Sequence, residues 1–177
     1  MRDTIARSNP GRTRVLVEGA LCVALSVVFS RLKLFRMPQG GSVTLEMAPL
    51  FYFAYRYGLG WGVTVGTLSG VFQMIFDGYV VHPVQAFLDY PVAFACMGIA
   101  GLFGQKTRGI VAGTLAASVA RLACHVLSGV IFFAAYAPEN TSVWLYSLIY
   151  NGTFMAPSIL ISAVLALILW RKFLKTV

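Results

Sequence analysis

The sequence predicts an all-α, polytopic integral membrane protein of six transmembrane helices with both termini in the cytoplasm. Its 177 residues are 58% hydrophobic and only 11% charged, and the mean hydropathy is +0.77. An average soluble domain has about 45–50% apolar and about 25% charged residues. The apolar residues also fall in long runs with short polar breaks. At ~20 residues per crossing of a ~30 Å hydrocarbon core, the length allows at most seven or eight spans, and the breaks favour six. Residues 1–13 form a basic cytoplasmic tail, too short for a core of its own, and residues 14–177 form one transmembrane domain.

The first run, 15–30, has no small-residue cleavage site just after it and reads as a retained helix rather than a signal peptide. A polar stretch, 31–42, leads to a second run over 43–55 that ends at Arg56-Tyr57-Gly58. The third run, 59–76, stops at the turn pair Asp77-Gly78 and carries Gly62, Gly66, Ser69 and Gly70, small residues suited to close helix packing in lipid. His82-Pro83 opens the fourth, since proline is favoured in a first helical turn, and the run continues to Phe103. The fifth covers 109–135, interrupted by Arg121 and His125, and ends near Pro138. The sixth covers 142–170.

Fourteen Lys and Arg against six Asp and Glu give a formal charge of +8, but the cations lie at chain ends and in short loops, so no nucleic-acid partner is implied. With six spans, ten basic residues fall on the side of the termini, including Arg2, Arg7, Lys106, Arg108 and Lys175. Three fall opposite, all after the first span: Arg31, Lys33 and Arg36. The excess places the termini inside and loops 31–42, 77–82 and 136–141 outside. Cys22, Cys96 and Cys124 lie in apolar runs without metal-ligand spacing and read as buried thiols.

An ionisable group within a span costs ~2.5–3.5 kcal/mol at the bilayer centre on translocon scales, so each one invites a functional reading. Gln85 and Asp89 fall in the first turns of span four, His125 in the later half of span five, and Tyr146 and Asn151 early in span six. The predicted orientation puts all of them in the outer half of the membrane. Tyr79, Phe87, Tyr90, Phe132, Phe133, Tyr136, Trp144 and Tyr150 surround them in sequence. An interfacial aromatic belt accounts for rings but not for Asp89; a carboxylate beside π faces suits an organic cation. Arg121 stands four residues before His125 on the same helical face, with Glu18 or Glu46 as possible partners.

The chain lacks a GxSxG elbow, HExxH, a P-loop and a paired-carboxylate motif, so an enzyme is not expected and no cofactor is implied. Without a P-loop, ATP-driven transport needs a separate ATPase, and no inverted repeat suggests a secondary transporter.

Four segments in order resemble one family: Pro38-Gln39-Gly40-Gly41-Ser42; Gly78-Tyr79 through His82-Pro83-Val84-Gln85 to Leu88-Asp89-Tyr90-Pro91; His125 through Ser128-Gly129-Val130 and Phe133 to Tyr136-Ala137-Pro138; and Ser147-Leu148-Ile149-Tyr150-Asn151-Gly152. They are similar to the thiamine-specific substrate-binding (S) component of energy-coupling factor (ECF) transporters, the ThiT family. The resemblance covers about 14–172. It implies a bacterial cell-membrane protein that takes thiamine into an outward-opening pocket made by helices four, five and six and covered by the loop between helices one and two. On its motif positions Tyr79, Asp89, Tyr90, His125, Phe133, Tyr146 and Asn151 would bind substrate. The carboxylate would face the cation, the aromatics would stack on its rings, and His125, Tyr146 and Asn151 would hydrogen-bond the aminopyrimidine. It further implies a transmembrane coupling (T) protein and two ATPase subunits as partners. Ala20 and Ala24, a small-xxx-small face on span one, would dock the coupling protein.

The sequence departs from the family in three places: Asp89 stands where Glu is expected, Phe133 where Trp is expected, and residues 34–41 contain no Trp. Trp144 is one candidate to repack the cavity. The competing readings are an S component for another vitamin such as riboflavin, a small membrane enzyme with Asp89 and His125 as acid and base, and a structural subunit without ligand.

Overall fold

The computed structural model describes residues 11–38 and 41–174, without the side chains of 173 and 174. Most of the basic tail, Gln39 and Gly40 of the first motif string, and Lys175 therefore lie outside the described residues. The elements are α1 (Arg12–Arg31), β1 (Phe35–Arg36), β2 (Ser42–Val43), α2 (Met47–Asp77), α3 (Pro83–Phe87), α4 (Ala93–Ala95), α5 (Thr107–Phe132) and α6 (Val143–Leu169). A π turn, Leu88–Val92, joins α3 to α4, and a 3-10 segment, Cys96–Leu102, extends α4, so that Pro83–Leu102 forms one apolar rod. The His82 Nδ1 caps this rod by accepting the Val84 N–H at 3.1 Å, and Pro83 occupies its first turn.

Among the described residues, five helices are long and apolar enough to cross a membrane: α1, α2, the Pro83–Leu102 rod, α5 and Val143–Lys172. The predicted third span and all but the first four residues of the predicted second fall in α2, which breaks at Gly58, where φ is 82° and ψ −177°. Few residues other than glycine adopt such a backbone. The chain reverses there. Glu46, before the break, accepts the Ser26 hydroxyl on its carbonyl at 2.9 Å, while Ser69 and Gln73, beyond it, reach the same Ser26 Oγ at 2.8 and 3.1 Å. The first arm, 47–57, is only about 16 Å long at 1.5 Å per residue, half of a ~30 Å core. The expected start at Val43 is not helical, because Ser42–Val43 pairs antiparallel with Phe35–Arg36. This small hairpin is the one β element among the described residues in an otherwise helical fold.

Ion pairs mark the two ends of the bundle. Glu18 meets Arg56 at 2.9 Å beside the reversal, while Asp77 pairs with Lys33, and with Arg31 at 3.7 Å, at the opposite end. Hence α1 runs parallel to the second arm of α2 and antiparallel to the first. The first arm supplies much of the core: Met47, Leu50, Phe51, Phe53 and Ala54 are buried against Phe94, Met97 and Ile110. Outward positions such as Leu16, Leu25, Ile75 and Leu160 are exposed, as hydrocarbon contact allows.

The small-residue stripe of the second arm meets the backbone of the rod. A Cβ on Gly66 would strike the carbonyl oxygen of Phe94, and one on Gly70 would lie 2.5 Å from that of Tyr90. Close approach of this kind supplies the packing that the hydrophobic effect cannot provide between helices in lipid. It also presses the second arm onto the π turn that carries Asp89 and Tyr90.

Gly66→Ala is expected to lower the midpoint of thermal unfolding in detergent by several degrees, because backbone must move to admit the methyl group. Gly60→Ala, on the same arm with no atom within 4 Å of its Cβ position, is expected to leave it unchanged or slightly raised.

Candidate functional site

A cavity of about 160 Å³ lies at the end of the bundle formed by loops 32–46, 78–82 and 133–142. Its floor is built around Asp89. The π turn rotates this residue inward, and an interior proline at Pro91, which cannot donate a backbone hydrogen bond, sits in the same turn. Gln85 Nε2, one helical turn earlier, donates to Asp89 Oδ2 at 2.7 Å; Ser128 Oγ donates to the same oxygen at 2.8 Å; His125 Nδ1 lies 3.0 Å from Oδ1. Two positions on α5 thus fix a carboxylate carried by the neighbouring rod, and the Asp89 side chain keeps 15% of its surface accessible.

The other His125 nitrogen settles its tautomer. Arg121 Nε lies 3.4 Å from His125 Nε2, and a guanidinium has hydrogens to donate and none to accept. Nε2 is therefore the acceptor, and Nδ1 carries the hydrogen donated to Asp89. Arg121 also donates from Nη2 to Glu46 Oε1 at 2.6 Å and packs 4.0 Å from the Phe94 ring centroid. Of the two carboxylates the sequence offered as its partner, the structure selects Glu46; Glu18 is engaged by Arg14 and Arg56. Buried charge is tolerated when paired in this way.

Aromatic rings line the walls and mouth. Tyr79 stacks on Phe133 with centroids 6.1 Å apart, and Phe133 leans on Tyr136 at 6.1 Å. In the mouth, outside the spans, hydrogen bonding to Tyr136 holds the Tyr79 phenol above its ordinary pKa. The Tyr90 hydroxyl accepts the Tyr79 N–H at 2.7 Å, tying loop to rod. On α6, Tyr146, Tyr150 and Phe154 form a ladder with 6.1 and 6.2 Å steps, and Phe154 presents its edge to His125 at 6.2 Å. Asn151 is buried and donates to Ser147 O at 2.9 Å and to His125 O at 3.3 Å. The segment that follows α1 covers the cavity: Lys33, Arg36, Ser42 and Thr44 line it, Val43 packs on Phe154 and Met155, and the Thr44 N–H reaches Ser158 Oγ at 3.3 Å.

Tyr79, Asp89, Tyr90, His125, Phe133, Tyr146 and Asn151, singled out in the sequence, all line this cavity. Trp144 does not. It is 57% exposed, as Phe87 is 61% exposed, and both rings point away from the site. Hydropathy gives depth but not the direction a ring faces. Ser128, Tyr150, Phe154 and the Glu46–Arg121 pair complete the site without having been singled out as binding residues; for Ser128 the three-residue spacing from His125 was the available signal. Ala20 and Ala24 are far from it, exposed on α1 beside an apolar groove shared with Leu68 and Phe72 of α2. Cys22 is buried, while Cys96 and Cys124 are only half-buried and face one another with sulfurs 4.0 Å apart.

The sequence and the fold have relatives. The family model described as Thiamine transporter protein (Thia_YuaJ) matches residues 16–177. Thiamine transporter ThiT of Bacillus subtilis (strain 168) is 40% identical over 171 residues, 88% of this chain and 89% of that protein. Thiamine transporter ThiT of Lacticaseibacillus paracasei is 32% identical over 155 residues, 78% of this chain and 77% of that one. Among solved structures, ThiT from Listeria monocytogenes superposes with a TM-score of 0.81 at 27% identity, covering 93% of this chain and 97% of that one. An S component of a bacterial ECF transporter shares the fold, with a TM-score of 0.63 at 14% identity over the same shares.

Gly129 lets α6 approach α5 at the site. A Cβ there would run into Ser147 Oγ and stand 3.1 Å from Ser147 Cβ, and that hydroxyl is buried and donates to Val126 O at 2.9 Å. Gly129→Ala is expected to destabilise the fold by about 1–3 kcal/mol in thermal unfolding, and Ser147→Ala in the same chain to recover much of that loss.

Proposed function

The chain belongs to the thiamine transporter family, as a multi-pass protein of the bacterial plasma membrane, and we propose that it is the thiamine-binding S component of an ECF vitamin importer. The observation that carries this reading is the cavity floor, where Asp89 is held by three donors beneath a wall of aromatic rings. Thiamine is a permanent organic cation with two flat rings. A fixed carboxylate in a region of low dielectric attracts the thiazolium, and the Tyr79–Phe133–Tyr136 wall offers π faces to the same charge. His125, Tyr146 and Asn151 are the groups within reach of the aminopyrimidine, and Tyr90 braces the loop that bears Tyr79.

Capture is from outside, because the cavity opens at the end of the bundle that the charge distribution assigns to the exterior. Loop 32–46 covers the bound vitamin. Delivery inward requires work that this chain cannot supply, since it holds no P-loop. A transmembrane coupling protein and two ATPase subunits are the proposed source, with Ala20 and Ala24 as the docking face. These alanines present a low ridge on α1 where another helix can approach closely in lipid. A neutral vitamin such as riboflavin would gain nothing from Asp89.

Titration calorimetry of the purified chain is expected to give saturable binding of one thiamine per chain, with riboflavin unable to compete. Absence of thiamine binding would overturn the assignment. Asp89→Asn keeps the shape but removes the charge and is expected to weaken thiamine binding roughly ten- to a hundredfold; unchanged affinity would remove Asp89 from the role. Ala20→Trp with Ala24→Trp is expected to leave thiamine binding by the isolated chain intact while abolishing co-purification with the coupling module and ATP-driven uptake.

A further inference from the structure

Two charges that line the cavity are given no contact with ligand in the binding scheme above: Arg121 and Glu46, with 7% and 12% of their side-chain surface accessible. Arg121 stands one imidazole ring away from Asp89, since His125 accepts from Arg121 Nε through Nε2 and donates to Asp89 through Nδ1. A guanidinium so close to a cation site would repel the very ligand that Asp89 attracts. Glu46 opposes it at 2.6 Å. Pairing removes most of the long-range field of the arginine, so Asp89 is left as the net negative charge of the inner cavity.

We propose that Glu46, a lining residue of the cavity, determines the preference of this site for a cation by neutralising Arg121. This rests on the thiamine-binding reading and adds to it a residue that sets charge selectivity through its partner Arg121. The other charged groups lining the cavity do not supply the same balance. Lys33 is paired with Asp77 at the mouth, and Arg36 is exposed, where solvent screens it. Phe94 stacks against Arg121 and contributes polarisable surface but no charge.

Glu46 is anchored by its backbone as well, through the Ser26 hydroxyl on its carbonyl oxygen. Its carboxylate is held in turn by Arg121, so that both ends of the residue are fixed. Selectivity arises from a fixed arrangement rather than from a mobile counter-charge.

The test compares thiamine with deazathiamine, a neutral analogue in which a thiophene replaces the thiazolium, by calorimetry on the wild-type chain and three variants. Glu46→Gln leaves Arg121 uncompensated and is expected to lower the thiamine-to-deazathiamine affinity ratio about tenfold or more. Arg121→Gln leaves Glu46 uncompensated and is expected to raise the ratio. The double variant Glu46→Gln with Arg121→Gln is expected to return it to within about threefold of wild type. Thermal unfolding identifies any variant that fails to fold, and the remaining single variant with the double one then decides by the same ratio. Equal loss of both ligands in the single variants, with the ratio unmoved, would reduce the pair to a structural tie and overturn the proposal. Failure of the wild-type chain to bind thiamine would instead overturn the functional reading, so the two failures are distinct.

Discussion

Ionised groups survive inside a membrane protein only where other protein groups replace water, and this fold is arranged around one such chain of replacements. Glu46, Arg121, His125 and Asp89 are linked in series by contacts of 2.6, 3.4 and 3.0 Å. The four belong to three parts of the structure: the root of the covering loop, α5, and the π turn of the Pro83–Leu102 rod. Breaking the Glu46–Arg121 link would strand both charges in a region of low dielectric, and His125 ties that pair to the Asp89 carboxylate. The chain of contacts therefore fixes the positions of these parts and, with them, the shape of the cavity.

Helix packing delivers the members of this series to one place. The glycines of the second α2 arm admit the rod at backbone distance, and Gly129 admits α6 against α5. Glycine weakens an isolated helix, yet in lipid the contact area it permits outweighs that cost. The Ser26–Ser69–Gln73 cluster then binds α1 to both arms of α2 through hydrogen bonds that no water could replace.

The local features of the sequence led directly to most of this architecture. Hydropathy marked the apolar runs because it depends on neighbours only. His82-Pro83 opens a helix in the structure as the sequence indicates, and the stop at Arg56-Tyr57-Gly58 is where the chain reverses. The brevity of the arm before that stop was hidden, because Val43 and Leu45 continue an apolar run while belonging to a hairpin and a turn. That Asp89, His125 and Asn151 lie toward the same end of the bundle was legible, whereas lateral proximity was not. The choice between Glu18 and Glu46 as partner of Arg121 depends on how helices pack over long sequence separations. The outward orientation of Trp144 escaped notice for a related reason: it lies one turn from the lining residue Ser147, so helical spacing alone does not separate the exposed ring from the cavity wall.

The shortness of the first α2 arm bears on how the protein is made. About 16 Å of helix is too little to be retained as a membrane segment by itself, so residues 47–77 must enter lipid together as a helical hairpin turned at Gly58. Glu46 stands at the head of that hairpin, and its partner Arg121 lies 75 residues further along the chain. During synthesis the carboxylate therefore waits without its counter-charge until α5 has emerged and inserted. The cavity closes only when the last third of the polypeptide arrives to complete a pair that the first third began.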